Sequence, residues 1–148
     1  MEKEAIRQAI SDYFTSHRKM TLATVTLDGR PLAHTVEYVS DGGPIVYFAT
    51  KKTTRKAQNI MKNANVSFAV DEDYDDWMKI QGVQVEGRAT ILSDEKDIKY
   101  AMDLFVKKFP FVVEFTPDPD MVFVKIEPVA GFFLDNTKGF AHRDEVKF

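Results

Sequence analysis

The chain has 148 residues, 44% of them apolar and 29% charged, with no cysteine and a formal net charge of −3. That length suits one domain, 1–148, able to bury about two-thirds of its unfolded surface, so no disulfide or metal is needed to hold a core. The lack of cysteine removes disulfides, thiolate catalysis and thiolate metal sites, and the acidic balance excludes nucleic-acid binding by bulk charge.

Ala5, Ile6, Ala9, Ile10, Tyr13 and Phe14 recur at helical spacing. Glu2 and Glu4 precede them and Arg18 and Lys19 follow, an order that complements the helix dipole and predicts a helix over about residues 3–17. From Met20 the period falls to two. Residues 20–27 and about 32–40 read as strands joined by the Asp28-Gly29 hairpin turn. After the turn Asp41-Gly42-Gly43-Pro44, residues 45–49 are apolar on both faces and predict a central strand covered on both sides. Thr53 or Thr54 caps a second helix with inner residues Ala57, Ile60, Met61 and Ala64.

Val66, Phe68 and Val70 alternate as the next strand, and residues 79–92 alternate over an unusual length. Gly82 and Gly87 read as bulges where that long strand bends. Ser93-Asp94-Glu95 opens a third helix with inner residues Ile98, Ala101, Met102, Phe105 and Val106, ended by Pro110. Residues 121–126 and 130–134 read as two closing strands separated by Glu127-Pro128. The order predicts a mainly β (α+β) fold, an antiparallel barrel of six to seven strands with three peripheral helices.

The most informative stretch is Ala49-Thr50-Lys51-Lys52-Thr53-Thr54-Arg55-Lys56, which joins the buried strand to a helix start and carries four cations with no acid. Helix starts favour Asp and Glu, because the free N–H groups and the dipole there are already positive. Four cations are unfavourable at that place unless an anion joins them. Free amides, threonine hydroxyls and Lys/Arg side chains together make a cradle for a phosphate monoester. The alternative is a solvated basic turn in which a threonine only caps the helix. Its position straight after a buried strand, in an acidic protein, favours the anion site.

Tyr47-Phe48-Ala49-Thr50 followed by Thr54-Arg55-Lys56-Ala57 resembles the aromatic–aromatic–x–Thr strand end and Ser/Thr-Arg-Lys-Ala helix start of the pyridoxamine-phosphate-oxidase-like flavoproteins. Leu22-Ala23-Thr24-Val25, Asp28-Gly29-Arg30-Pro31 and Val85-Glu86-Gly87-Arg88-Ala89 resemble further elements of that family, and the match covers roughly residues 20–92. The resemblance implies a split β-barrel that binds flavin mononucleotide (FMN), as a homodimer with the flavin near the interface. It places strand contacts on His34, Thr35, Val36 and Glu37, and phosphate contacts on Thr50, Lys51, Thr54, Arg55 and Lys56. A further flavin contact falls on Gln81, with Gly82 or Gln84 as alternatives.

The departures from the family narrow the activity. His34 stands where the oxidases proper carry an arginine, and Val39 where they carry a lysine. Their closing segment bears arginine and tryptophan, whereas residues 140–145 do not match it and the only tryptophan is Trp77. The resemblance therefore implies an FMN-dependent oxidoreductase other than pyridoxamine phosphate oxidase, with a small-molecule electron donor or acceptor. The alternative is a flavin or haem carrier, or a sensor, without turnover. No residue stands out as a catalytic acid or base.

His34 fits either a flavin phosphate or ribityl contact or a half-buried strand histidine bonded to a neighbour. His142 fits a haem ligand or a solvated tail residue. Trp77 fits a stack on flavin or substrate, or packing on the rim or a partner subunit. His17, His34 and His142 are too few and too scattered to mark a zinc site. The acidic run from Asp71 to Asp76 lacks the glycine and glutamate positions of an EF-hand and reads as a solvated turn. No stretch approaches the roughly 20 apolar residues of a membrane span, which predicts a cytoplasmic protein with no membrane partner.

Overall fold

The computed structural model describes residues 2–148, in which the first periodic segment forms helix α1 (Lys3–Ser16). Ile6, Ile10, Tyr13 and Phe14 are its buried stripe, while Ala5 is exposed. Strands β1 (Lys19–Val25) and β2 (Pro31–Glu37) pair antiparallel around the Asp28-Gly29 turn, where Gly29 has a φ of 86° that favours glycine. The strand expected over 32–40 is two. Strand β3 (Val39–Ser40) leaves β1 behind and pairs with β4 (Val46–Lys51). Tyr38 makes the transfer, fully buried, its hydroxyl donating to the Phe14 carbonyl at 2.7 Å.

Helix α2 (Arg55–Lys62), strands β5 (Asn65–Asp71) and β6 (Gln81–Ile91), helix α3 (Glu95–Lys108), and strands β7 (Met121–Asp135) and β8 (Arg143–Lys147) follow. The sheet order is β2-β1-β5-β6-β7-β4-β3, with β8 also on β7 and every pair antiparallel. β2 and β3 stand at opposite ends of that order, yet Tyr38 alone joins them. The sheet must therefore curl until its ends meet, and β2 touches β4 without forming a ladder to it. The result is a split antiparallel barrel with three helices. It has eight strands, counting the two-residue β3 and the tail strand β8, against the six to seven expected.

Two closing strands were expected where β7 is continuous. Glu86 pairs with Ala130 but Gly87 with Pro128, so Val129 is an extra residue on β7 and Pro128 sits at a bulge that asks nothing of its missing N–H. Gly87 is needed there, since a Cβ on it would lie 2.9 Å from the Glu127 carbonyl oxygen and from Ile126 Cγ2. Gly82 pairs without a register shift and is not a bulge.

The main core fills the barrel, with Ile10, Phe14, Leu22, Phe48, Val70, Val124 and Ile126 among its members. A second cluster lies under α3, where Val39, Tyr47, Leu92, Ala101, Phe105, Phe109 and Phe123 pack together. β4 is covered on both sides as its composition predicts, with Phe48 in the main core and Tyr47 in the second. Met61 and Met102, expected on inner helix faces, are exposed. The buried stripes are narrower than the apolar ones, being Ala57 and Ile60 on α2 and Ala101 and Phe105 on α3. No helix among the described residues is long and apolar enough to cross a membrane.

Candidate functional site

β4 ends at the buried Thr50 and the exposed Lys51, and α2 begins four residues later. Thr54, not Thr53, is the N-cap. Its hydroxyl donates to the Lys51 carbonyl (2.9 Å) and accepts from the Ala57 N–H (3.3 Å). With that proton used, Thr50 is the donor in the 3.0 Å contact between the two threonine hydroxyls. Asn59 Nδ2 donates to the buried Thr24 Oγ1 at 3.1 Å and pins α2 to β1. The first-turn N–H groups of Arg55 and Lys56 have no intrahelical acceptor and point out of the helix start.

The four cations divide into two pairs. Lys51 Nζ lies 3.4 Å from Asp118 and Lys52 Nζ lies 3.5 Å from Asp120, while the Lys52 N–H donates to the Asp120 carbonyl. Such exposed pairs hold their partners weakly. Arg55 and Lys56 have no acidic partner among the described residues. The second pair alone offers uncompensated charge.

His34 lies on β2, within range of the charges of Lys56 and Arg55. It sits opposite the fully buried Leu22 and shares its face of the sheet. Burial first, then the charges of Lys56 and Arg55, hold its imidazole below the usual histidine pKa. Its Nε2 is shielded from solvent and has no hydrogen-bond partner. An unsatisfied buried polar atom costs about 1–3 kcal/mol.

Of the residues marked from the sequence, Thr50 and Thr54 meet by their hydroxyls, Arg55 and Lys56 open the helix that Thr54 caps, and His34 lies within range of their charges. Lys51 adjoins them but is turned to Asp118. Val36 packs against the main core, and Thr35 and Glu37 are exposed on the other face of β2. Thr35 lines a cleft of about 500 Å³ with His17, Arg18 and Glu72. Gln81 stands apart. The row through His34 runs by Leu22 and Phe68 to Val85, so Gln81 is three strands over and four residues further along β6. At ordinary spacings that is about 14 Å across and about 13 Å along the sheet. Gln81 lines a cleft of about 270 Å³ beside Tyr74 and Leu134, apart from the phosphate cradle. Gly82 and Gln84 line that cleft too.

Asn59, Thr24, Asp118 and Asp120 escape the sequence reading. The acids lie more than sixty residues beyond the lysines, and only the pairing of Lys51 with Met121 brings them alongside. Trp77 is 68% exposed and stacks on Phe140, with ring centroids 6.4 Å apart. His142 Nε2 lies 3.1 Å from Asp144 Oδ2, so that nitrogen is already engaged. Asp76 caps the short turn Trp77–Lys79 by accepting the Met78 N–H.

A curled antiparallel sheet whose two ends meet at Tyr38, with three helices around it, is the split-barrel class of fold. The sequence matches the family model described as pyridoxamine 5'-phosphate oxidase over residues 6–135, and the chain belongs to that family. General stress protein 26 of Bacillus subtilis (strain 168) is 30% identical over 128 residues, covering 86% of this chain and 87% of that protein. Among solved structures, a conserved hypothetical protein from Mycobacterium tuberculosis is 26% identical with a TM-score of 0.77, covering 93% of this chain and 88% of the other. The haem storage protein from Vibrio cholerae has a TM-score of 0.69 at 18% identity over 86% of this chain and 91% of its own, a likeness of fold alone.

Proposed function

We propose that this chain is a cytoplasmic FMN-binding oxidoreductase other than pyridoxamine phosphate oxidase. The observation that carries the reading is the acid-free pair Arg55 and Lys56 at the α2 start, beside the unpartnered Nε2 of His34. The residues suit a phosphate monoester. Arg55 offers a planar fork for two phosphate oxygens, Lys56 a point charge, and the helix start its free N–H groups. The Thr50–Thr54 contact holds strand end and helix start in a fixed relation. β2 is laddered on one side only, so its other edge has peptide groups free to meet a ring edge.

When bound, the flavin supplies hydride or electron transfer, and the protein supplies position and electrostatics. Pyridoxamine phosphate would need a second anion cradle. Val39 is sealed in the second core, and Arg143 lies over the Phe132 ring, 4.7 Å from its centroid, which supports a different substrate. The reading includes a homodimer with the flavin near the interface. The cradle lies outside the clefts lined by Thr35 and Gln81, and the separation of Gln81 from it within one chain gives a second copy a reason to contribute.

Titration with FMN and with riboflavin tests the cradle, since only FMN carries the phosphate. Addition of NADH or NADPH to the FMN-loaded protein then separates an oxidoreductase, whose flavin band bleaches, from a carrier or sensor, whose band persists.

A further inference from the structure

We propose that His17 and Glu72 form a proton-operated latch on the wall of the cleft of about 500 Å³ beside Thr35, closed when the imidazole is charged and released when it is neutral. The latch is independent of the flavin reading. His17 ends α1, and its ring lies flat on Tyr13, with centroids 3.8 Å apart and planes 16° apart. Nδ1 is 2.8 Å from the Tyr13 carbonyl oxygen and 2.9 Å from Ser16 Oγ, whose own proton goes to the same carbonyl. A carbonyl oxygen only accepts, so Nδ1 carries a proton in either charge state. The neutral ring then has a bare lone pair at Nε2. That nitrogen is shielded from solvent, has no hydrogen-bond partner, and faces Glu72 Oε2 at 3.5 Å.

Two acceptors that face each other repel, and one proton reverses the sign. On Nε2 it makes a charge-assisted pair, at a helix C-terminus whose dipole favours a cation. Asp71 and Asp73 line the cleft with Glu72 and favour the imidazolium. Arg18 and Lys19, which line it too, oppose it, as does Lys108, whose ammonium donates to the His17 carbonyl. Lys19 is itself opposite Glu37 on β2. Glu72 lies between two fixed points. Asp71 ends the β5 ladder opposite Gly82, and the Tyr74 hydroxyl meets that of Tyr13 at 3.0 Å. Release therefore frees the Glu72 side chain, already 54% exposed, and leaves the strand in place. The latch also sets the charge of the cleft. Its lining has two cations against three acids, so one proton on His17 balances them and lifts the bias against an anionic ligand.

Nuclear magnetic resonance of the wild-type protein with isotope-labelled histidine tests the latch from about pH 5 to about pH 8, the span in which a histidine changes charge. Nδ1 should stay protonated throughout while Nε2 loses its proton. The Overhauser contact between the His17 ring and the Glu72 side chain should be present at the lower end and lost at the upper. Glu72→Gln should keep the contact at both ends, because its amide N–H donates to the bare Nε2. A neutral ring protonated at Nε2 instead of Nδ1 overturns the proposal, and so does a wild-type contact that persists at the upper end. A contact that fades in Glu72→Gln as it does in wild type overturns it too. The wild-type series is decisive without the variant.

Discussion

Thr50 and Thr54 meet hydroxyl to hydroxyl, 3.0 Å apart, where β4 gives way to α2. The contact ties a buried strand end to a helix cap, so the direction in which Arg55 and Lys56 leave the helix follows from the sheet. Thr54→Ala removes the cap. The expected loss is about 1 kcal/mol of stability, or about 2–4 °C in thermal midpoint for a chain of this size. Thr54→Ser should keep most of it. A calorimetric scan of the three proteins checks this, and an unchanged midpoint in Thr54→Ala would deny the cap its role.

Arg55 and Lys51 should separate in a binding assay. Arg55→Ala is expected to weaken FMN binding by about 10- to 100-fold, the range of one charge-assisted contact, with riboflavin affinity little changed. Lys51→Ala should have the smaller effect, because Lys51 already faces Asp118. Equal losses for FMN and riboflavin in Arg55→Ala would remove Arg55 from the phosphate.

Gly87 and Gly82 offer a comparison within one strand. Gly87→Ala puts a methyl 2.9 Å from the Glu127 carbonyl oxygen, while at Gly82 the nearest atom is the Val70 carbonyl oxygen at 3.4 Å. Gly87→Ala should destabilise by about 1–3 kcal/mol, as overpacking does, and Gly82→Ala by much less. Urea unfolding with matched slopes measures both, and equal midpoints would contradict the bulge assignment.

Lys108 carries a pH signature. Its ammonium donates to the carbonyls of Phe14 and His17 at the end of α1 and lies 4.5 Å from the Tyr38 ring centroid. Burial, then the charge of Arg18, lowers its pKa from 10.5 to about 8, against a smaller lift from Glu37. Between those values the unfolded chain binds more protons than the folded one. This group's share of stability therefore grows as pH rises through the window. Unfolding free energies of wild type and Lys108→Met should converge or diverge across that window with a positive wild-type-minus-variant slope. Parallel curves would show that Lys108 titrates normally.

Much of the fold was legible because period and turn chemistry are local. The 3.6-residue stripe of α1, the Asp28-Gly29 hairpin and the two-faced apolarity of β4 all appear where the pattern puts them. What escaped depends on partners distant in sequence. Tyr38 continues an alternating run, and nothing beside it announces that β2 ends on β1 and β3 begins on β4. Pro128 looked like a break because its role as a bulge residue requires Gly87 opposite. β8 shows only Val146 as buried, so its charged alternation read as a tail. The cradle was visible as four cations without an acid, but their division was not, since Asp118 and Asp120 arrive through β7. Gln81 carries its place by likeness alone, and the register sets it apart from the phosphate cradle within one chain.

The most direct measurement is the absorbance, over about 350–500 nm, of protein incubated with FMN or with riboflavin and freed of unbound ligand by gel filtration, because the colour belongs to the cofactor. The account predicts flavin bands that travel with the protein after FMN and are far weaker after riboflavin, and that fade in Arg55→Ala. A wild-type protein that emerges colourless from FMN, or equally yellow from both ligands, would contradict it.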